Sequence, residues 1–295
     1  MRKYFLSIAL LGSIHLLACD ICGSSGSSIL GVFPNNQLSF IGLKYRYSSS
    51  KTIHPSVFTS ANDYFQSIEL TGRIVPIKQI QLFVIIPFQI TKREEDYKVN
   101  HVFGLADVTL MCNYIITNQS DSVQNGTTYF IALGGGVKLP TGKNNIIQDR
   151  NTLPQGIQLG TGSTDFIVNT AITLRFLKWG ITNEINYRIN TSNAKLYLNG
   201  NRLAISSRAY FPIKIKLFDL IPQGGIDIEH AEIDYKNHLP VEHTGGMIYL
   251  ANAEMNAYFK SISFGMKIQQ PIYQSVNDGY TNSGARFTGQ FNYYF

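Results

Sequence analysis

Charge is scarce in this 295-residue chain: Asp, Glu, Lys and Arg together supply 15% of it, against roughly a quarter in ordinary water-soluble domains. The sequence has one tryptophan and three cysteines, too few cysteines for a disulfide-stapled scaffold, and the chain is long enough to bury a core without staples or metals. The net charge is +6, or +4 without Arg2 and Lys3. That excess is scattered, with no dense Lys/Arg run to follow a phosphate backbone, so nucleic acid is not an expected partner. After residue 20 no run is long and apolar enough for a transmembrane helix. Motifs of catalysis and cofactor binding are missing as well. The sequence holds no phosphate-cradling glycine loop ahead of a helix, no HExxH, no nucleophile elbow and no zinc quartet. The histidines are dispersed, His238 and His243 being the nearest mature pair. Gly134-Gly135-Gly136 sits inside a strand pattern, where it relieves crowding or permits a bend. The expectation is a protein that is not an enzyme and carries no cofactor or metal.

The first residues, MRKYFLSIALLGSIHLLAC, combine a basic start at Arg2 and Lys3 with an apolar stretch from Tyr4 to Ala18. This is the pattern of an export signal over 1–18. Leu16-Leu17-Ala18-Cys19 resembles a lipoprotein processing site, which would make Cys19 a lipidated first residue. Ordinary cleavage would instead leave Cys19 and Cys22 as a CxxC pair, able to form a disulfide or to give two thiolates to a metal. Both routes stay open for a periplasmic segment spanning 19–36. Cys112 lies in a strand pattern and reads as a small packed hydrophobe.

What the chain has in abundance is alternation. Its last ten residues, RFTGQFNYYF, place Phe287, Gly289, Phe291, Tyr293 and Phe295 on one side of a strand, with Arg286, Thr288, Gln290, Asn292 and Tyr294 on the other. Similar segments recur at about 38–49, 63–75, 79–91, 103–115, 126–139, 164–177, 180–191, 203–217, 221–235, 246–259, 261–274 and 283–295. Twelve is an even number, so both ends of the barrel portion return to one side. Short links such as 76–79, 177–180 and 259–261 alternate with longer polar ones at 50–62, 92–102, 140–163, 192–202, 236–245 and 275–282. Tight turns on one rim and longer loops on the other describe an outer-membrane barrel with periplasmic turns and extracellular loops. The expected fold is therefore all-β: an antiparallel up-and-down transmembrane barrel of about twelve strands over 37–295. Closure leaves no strand edge unpaired in hydrocarbon.

On the polar faces stand Glu69, Arg73, Arg175, Glu184, Arg188, Arg208, Lys214, Lys216, Glu254, Lys267 and Arg286. A dry core would penalise so many ionic groups, whereas a wet lumen would not. These are the predicted lumen-lining residues, eight basic and three acidic, an excess that favours anions. Partners expected from this arrangement are outer-membrane lipids, a small solute, and the barrel-assembly machinery reading the terminal Phe295 as its signal.

Three stretches carry a family likeness: Gly104-Leu-Ala-Asp107, Val137-Lys-Leu-Pro-Thr-Gly-Lys143, and Pro154 to Phe166 (PQGIQLGTGSTDF). Together they resemble the bacterial outer-membrane transporter-like family named after the meta-pathway of phenol degradation. The resemblance implies a mid-sized outer-membrane barrel concerned with small or hydrophobic compounds. Read physically, Gly142, Gly156, Gly160 and Gly162 let a long loop turn sharply or fold over the pore mouth. Asp107 and Asp165 stand where a carboxylate accepts backbone N–H groups at a strand entrance. The functional expectation is passive passage of a small solute, hydrophobic or anionic, with loop 140–163 limiting entry; the alternative is a structural or surface-interaction barrel that transports nothing.

Overall fold

A computed structural model describes residues 38–53, 60–96, 98–119, 126–148 and 151–295. The expected export signal over 1–18 and periplasmic segment over 19–36, with Cys19 and Cys22, lie outside the described residues. Twelve strands run up and down: β1 (Phe40–Ile53), β2 (Ser60–Ile77), β3 (Ile80–Glu95), β4 (Lys98–Leu105, continued by Thr109–Asn118), β5 (Thr127–Lys138), β6 (Asp165–Phe176), β7 (Gly180–Ile189), β8 (Arg202–Tyr210), β9 (Asp219–Ala231), β10 (Gly246–Phe259), β11 (Ile262–Val276) and β12 (Thr281–Ser283, continued by Arg286–Tyr294). Each pairs antiparallel with the next. The ring closes where β12 pairs β1, from Phe40↔Tyr294 to Tyr47↔Phe287. The expected twelve-stranded barrel is the observed one, and closure satisfies the ladder hydrogen bonds of both edges.

The period-two pattern sorts side chains to two surfaces. On β2, Asp63, Phe65, Glu69 and Arg73 are buried while Ile68, Leu70 and Ile74 are exposed. On β12, Arg286, Asn292 and Tyr294 point inward, and Phe287, Phe291 and Tyr293 point outward. Around the barrel the exterior carries Leu43, Leu82, Leu110, Leu133, Val168, Ile185, Ile226, Met266 and Ile268, all exposed. A continuous apolar exterior of this extent would be an aggregation site in water and is the normal surface of a barrel in lipid. Aromatic rings sit toward its margins: Phe176 stacks on Trp179 at 4.4 Å beside one tight turn, and Tyr249 meets Tyr273 at 5.3 Å near the opposite rim, consistent with interfacial anchoring. Cys112 is exposed on this outer surface, so it faces outward and is not packed as expected.

Several expected boundaries move. Strand β8 stops at Tyr210 and does not continue to 217. Pro212 cannot donate to a ladder, and the chain instead makes a small tongue in which Ile213–Lys214 pair with Leu220 and Asp219. Lys214 and Lys216 are exposed on that turn, which removes both from the interior. Much of the expected links 50–62 and 92–102 is strand, because β1 runs to Ile53, β3 to Glu95 and β4 begins at Lys98. Polar alternation such as Thr91-Lys-Arg-Glu-Glu95 reads as loop in sequence but continues the ladder, with Thr91 and Arg93 buried and Lys92 and Glu94 half-exposed.

Strand β4 contains a break that matters for the site. Asn100 and Val102 face inward before it, and Thr109, Met111, Asn113 and Ile115 face inward after it, so the inward register slips from even to odd numbers. The extra residue is absorbed around Ala106, whose N–H still reaches Pro87 O at 2.9 Å. Such a bulge bends the strand and re-aims a side chain; here the re-aimed side chain is Asp107.

Candidate functional site

The long link between β5 and β6 does not arch outward; it folds into the barrel. Leu153, Ile157 and Leu159 of this loop are buried with Phe65 of β2, Val102 of β4, Ala231 of β9, Ile248 and Leu250 of β10 and Val276 of β11. Strands β2 and β4 lie across the ring from β9–β11, so the loop bridges the lumen from wall to wall near the rim that carries the longer loops. It is also tied to itself. The Gln158 side chain accepts Ile146 N–H at 2.9 Å and donates to Leu153 O at 2.7 Å, and Asn144 Nδ2 donates to Gly160 O at 2.9 Å.

Both ends of the loop are fastened to one buried knot. Lys138 is the last residue of β5 and pairs across the ladder with Asp165, the first residue of β6. Its Nζ lies 2.7 Å from Asp165 Oδ2 and 2.7 Å from Asp107 Oδ2, and it also contacts Thr161 Oγ1. Asp107 Oδ1 accepts Gly142 N–H at 3.0 Å, while its Oδ2 accepts Thr161 N–H at 2.9 Å. Asp165 Oδ1 accepts Ser163 Oγ at 2.9 Å and Thr191 N–H at 3.0 Å, tying in the neighbouring link after β7. One ammonium thus holds two carboxylates, and those carboxylates hold the backbone at the start and end of the loop.

The glycines act mostly through space. Only Gly162, of the four singled out from the sequence, has a left-handed φ, +72°. A Cβ on Gly142 would lie 2.6 Å from Leu159 O, and one on Gly160 would lie 2.4 Å from Asp107 Oδ1. Gly142 and Gly160 therefore let the two legs of the loop touch each other and the carboxylate. Gly156 sits at the tip, in the short 3-10 turn Gln155–Ile157.

Below the loop the lumen is two-sided. On β7–β12 charged side chains form linked clusters. Arg208 contacts Glu184 and lies 3.2 Å from Glu254. Asp227 is 2.9 Å from Lys267 and accepts hydrogen bonds from Ser206 at 2.5 Å and Gln269 at 2.8 Å. Arg286 reaches both oxygens of Glu229 at 2.9 Å. On β3–β6 the inward residues include an apolar cluster of Phe83, Met111, Ile115, Phe130, Ala132, Ile167 and Ala171, set among the uncharged polar side chains of Gln81, Asn113, Asn169 and Thr173. Between the two surfaces, Glu69 on β2 binds Arg46 and sits 2.9 Å from Lys44, both on β1. Near the start of the barrel, Arg73 donates to Leu38 O at 2.8 Å through Nη2 and stands 4.9 Å over the Phe40 ring.

Of the eleven lumen residues expected from sequence, the structure places Glu69, Arg73, Glu184, Arg208, Glu254, Lys267 and Arg286 inside and buried. Arg188 is half-buried and lines a cavity under the loop. Arg175 shares the inward parity of Asn169 and Thr173 but is exposed at the turn-side end of β6; Lys214 and Lys216 are on the tongue. The excess of basic over acidic groups among those eleven therefore shrinks, since three of the eight cations lie at the periphery. Sequence reading missed Lys44, Arg46, Lys138, Asp227 and Glu229. Each stands on the inward side of its strand, in GLKYRY, GVKLP and GIDIEH, where an assignment of alternating faces strand by strand could have found them. Phe295 is exposed, its N–H bonded to Ser39 O at 3.0 Å.

No protein-family model matches the sequence, and no curated protein does either. The solved structures do. An outer-membrane channel from Pseudomonas putida F1 superposes with a TM-score of 0.64 at 13% identity, covering 88% of this chain and 96% of that one. The β-domain of the Bordetella autotransporter BrkA superposes with a TM-score of 0.51 at 10% identity, covering 88% of this chain and all of that one. At such identities the likeness is one of fold. By fold and by surface, this is an outer-membrane β-barrel.

Proposed function

We propose that the barrel provides passive passage for a small solute across the outer membrane, with the inward-folded loop as its constriction. The observation that carries this reading is the combination of a charged, amide-rich inner wall with a loop pinned across it at both ends. A barrel needed only as a surface or an anchor gains nothing from ion pairs in its interior, since apolar packing of the same volume is commonly as stable or more so. Passage rather than chemistry is the role inferred. A lumen with charged clusters on one side and an apolar cluster among uncharged polar groups on the other suits a solute with an apolar and a polar part. Insertion by the barrel-assembly machinery, with Phe295 as the terminal signal, belongs to the same proposal.

The test is reconstitution. Purified barrel in liposomes should admit small solutes, and deletion of 144–158 should raise the rate while the unheated protein still migrates fast on SDS gels. Absence of flux in both forms would favour the alternative, a barrel that transports nothing.

A further inference from the structure

The two rims of the barrel differ in charge. At the rim of tight turns Lys78, Arg175, Lys178, Lys214, Lys216 and Lys260 are exposed, and among the described residues Asp219 is the one exposed carboxylate side chain beside them. Asp121, in the link between β4 and β5, lies outside the described residues. The loop rim is balanced: exposed Lys51, Lys143, Lys195 and Lys236 stand against exposed Asp96, Glu232, Glu242 and Asp278. The cations of the turn rim are also set among apolar side chains. Exposed Ile77 precedes Lys78, exposed Leu177 and Trp179 flank Lys178, and exposed Phe259 precedes Lys260, whose Nζ stands 5.5 Å over the Phe259 ring. The tongue after β8 has the same composition. Phe211, Ile213 and Ile215, all exposed, continue the outward alternation of β8, while Lys214 and Lys216 fall on the other side. Its shape is held by the pairing of Ile213–Lys214 with Leu220 and Asp219 and by two backbone hydrogen bonds between Ile215 and Phe218, at 3.0 and 3.2 Å. The tongue and the turn bearing Lys178 leave the barrel side by side, since Gly180 pairs with Tyr210.

We propose that the turn-side rim is a docking surface for anionic phospholipid headgroups of the periplasmic leaflet, gathered by Lys178, Lys214 and Lys216, with the tongue lying in the membrane interface. Tight turns mark the periplasmic end of such a barrel. A segment with one apolar and one cationic side settles in the plane of the interface. Lysine stems run along apolar surface and leave the ammonium at headgroup level, where it meets phosphate as a point charge. The lipid-facing side of β8 passes into Phe211, Ile213 and Ile215 without a break, which favours lipid over an acidic protein in the water below. This surface is separate from the lumen, so it stands or falls independently of the passage reading.

Trp179, the one tryptophan of the chain, reports on this place directly. The purified barrel is reconstituted in phosphatidylcholine vesicles that contain brominated phosphatidylglycerol or, at the same mole fraction, brominated phosphatidylcholine. Quenching of Trp179 fluorescence then gives the relative binding of the two lipids. The phosphatidylglycerol should bind about fivefold more strongly, the scale of one lysine at an anionic surface, and added salt should reduce that preference. The triple variant Lys178→Gln, Lys214→Gln, Lys216→Gln should abolish it, and arginine at the same three positions should keep it. Lys143→Gln with Lys195→Gln on the loop rim should leave it unchanged. Fast migration of unheated protein verifies folding, and Lys178→Gln alone, which should lower the preference, serves if the triple variant does not fold. An undiminished preference in folded glutamine variants overturns the docking surface. Equal quenching by the two lipids in the wild type overturns it as well, and would leave the lysines to an acidic partner in the periplasm.

Discussion

Replacing Ile157 by aspartate should open the barrel. Ile157 is fully buried at the tip of the inward loop, among Phe65, Leu250 and Val276 from three strands of the wall. Burial of an aliphatic side chain contributes roughly 1.5–3 kcal/mol, so Leu153, Ile157 and Leu159 together hold the loop inward by roughly 5–9 kcal/mol. At a tenfold change per 1.4 kcal/mol, the displaced loop is populated at less than about one part in a thousand, and the wild-type loop is a fixed constriction, not a fluctuating lid. Ile157→Asp forfeits one such contribution and places a carboxylate among apolar side chains, for a combined cost of roughly 3–6 kcal/mol. That is enough to bring the displaced state to a readily observed fraction. Single-channel recording in planar bilayers reads it directly: small, quiet wild-type currents should give way to discrete steps several-fold larger. Ile147→Asp in the same loop is the control, since Ile147 is already exposed. A folded Ile157→Asp barrel with wild-type conductance would refute the claim that this loop limits the pore.

The knot and the walls give further expectations. Lys138→Met leaves Asp107 and Asp165 without their shared cation, and breaking a buried pair costs roughly 3–5 kcal/mol; the loop should become cleavable by added protease in intact liposomes, whereas the wild-type loop should stay intact. Arg208→Met strands Glu184 and Glu254 in the interior. It should lower the temperature at which the fast-migrating band is lost, with little change in loop cleavage, because the cluster lies farther along the barrel from the loop: Glu184 pairs with Ala171, well down β6 from Asp165. Ile226→Arg puts a charge on the lipid-facing side of β9 and should destabilise the barrel by roughly 2–4 kcal/mol if that side faces the bilayer midplane, measured by urea unfolding in lipid vesicles; an unchanged midpoint would place Ile226 outside the hydrocarbon.

The sequence carried the barrel because the signal is local. Alternation needs only neighbouring residues, and Phe287, Phe291 and Tyr293 against Arg286, Gln290 and Asn292 is a complete statement of which side meets lipid. The number of strands, their order and the side of most polar residues follow from that pattern together with the tight turns. Strand ends were legible where a turn residue stops the ladder and illegible where β3 and β4 continue through Lys92, Arg93, Glu94 and Asn100, polar on both faces and so without hydrophobic contrast to mark them. The end of β8 was misjudged for the opposite reason: Ile213, Ile215 and Leu217 keep the alternation going past a proline that breaks the pairing.

The direction in which the loop between β5 and β6 folds was a tertiary outcome. Its sequence offers Leu153, Ile157 and Leu159 as apolar residues and four glycines, which suit an inward plug and an outward flap equally well. Inward folding became favourable only because Phe65, Val102, Ile248, Leu250 and Val276, distant in the chain, present a matching apolar ring at one height inside the barrel. The same holds for the knot. Asp107 faces Lys138 because the β4 bulge shifts register by one residue, and a one-residue slip that reverses side-chain direction is set by pairing with β3 and β5, not by the residues around Asp107. Local alternation fixed which residues could face the lumen; closure of the ring fixed which of them meet.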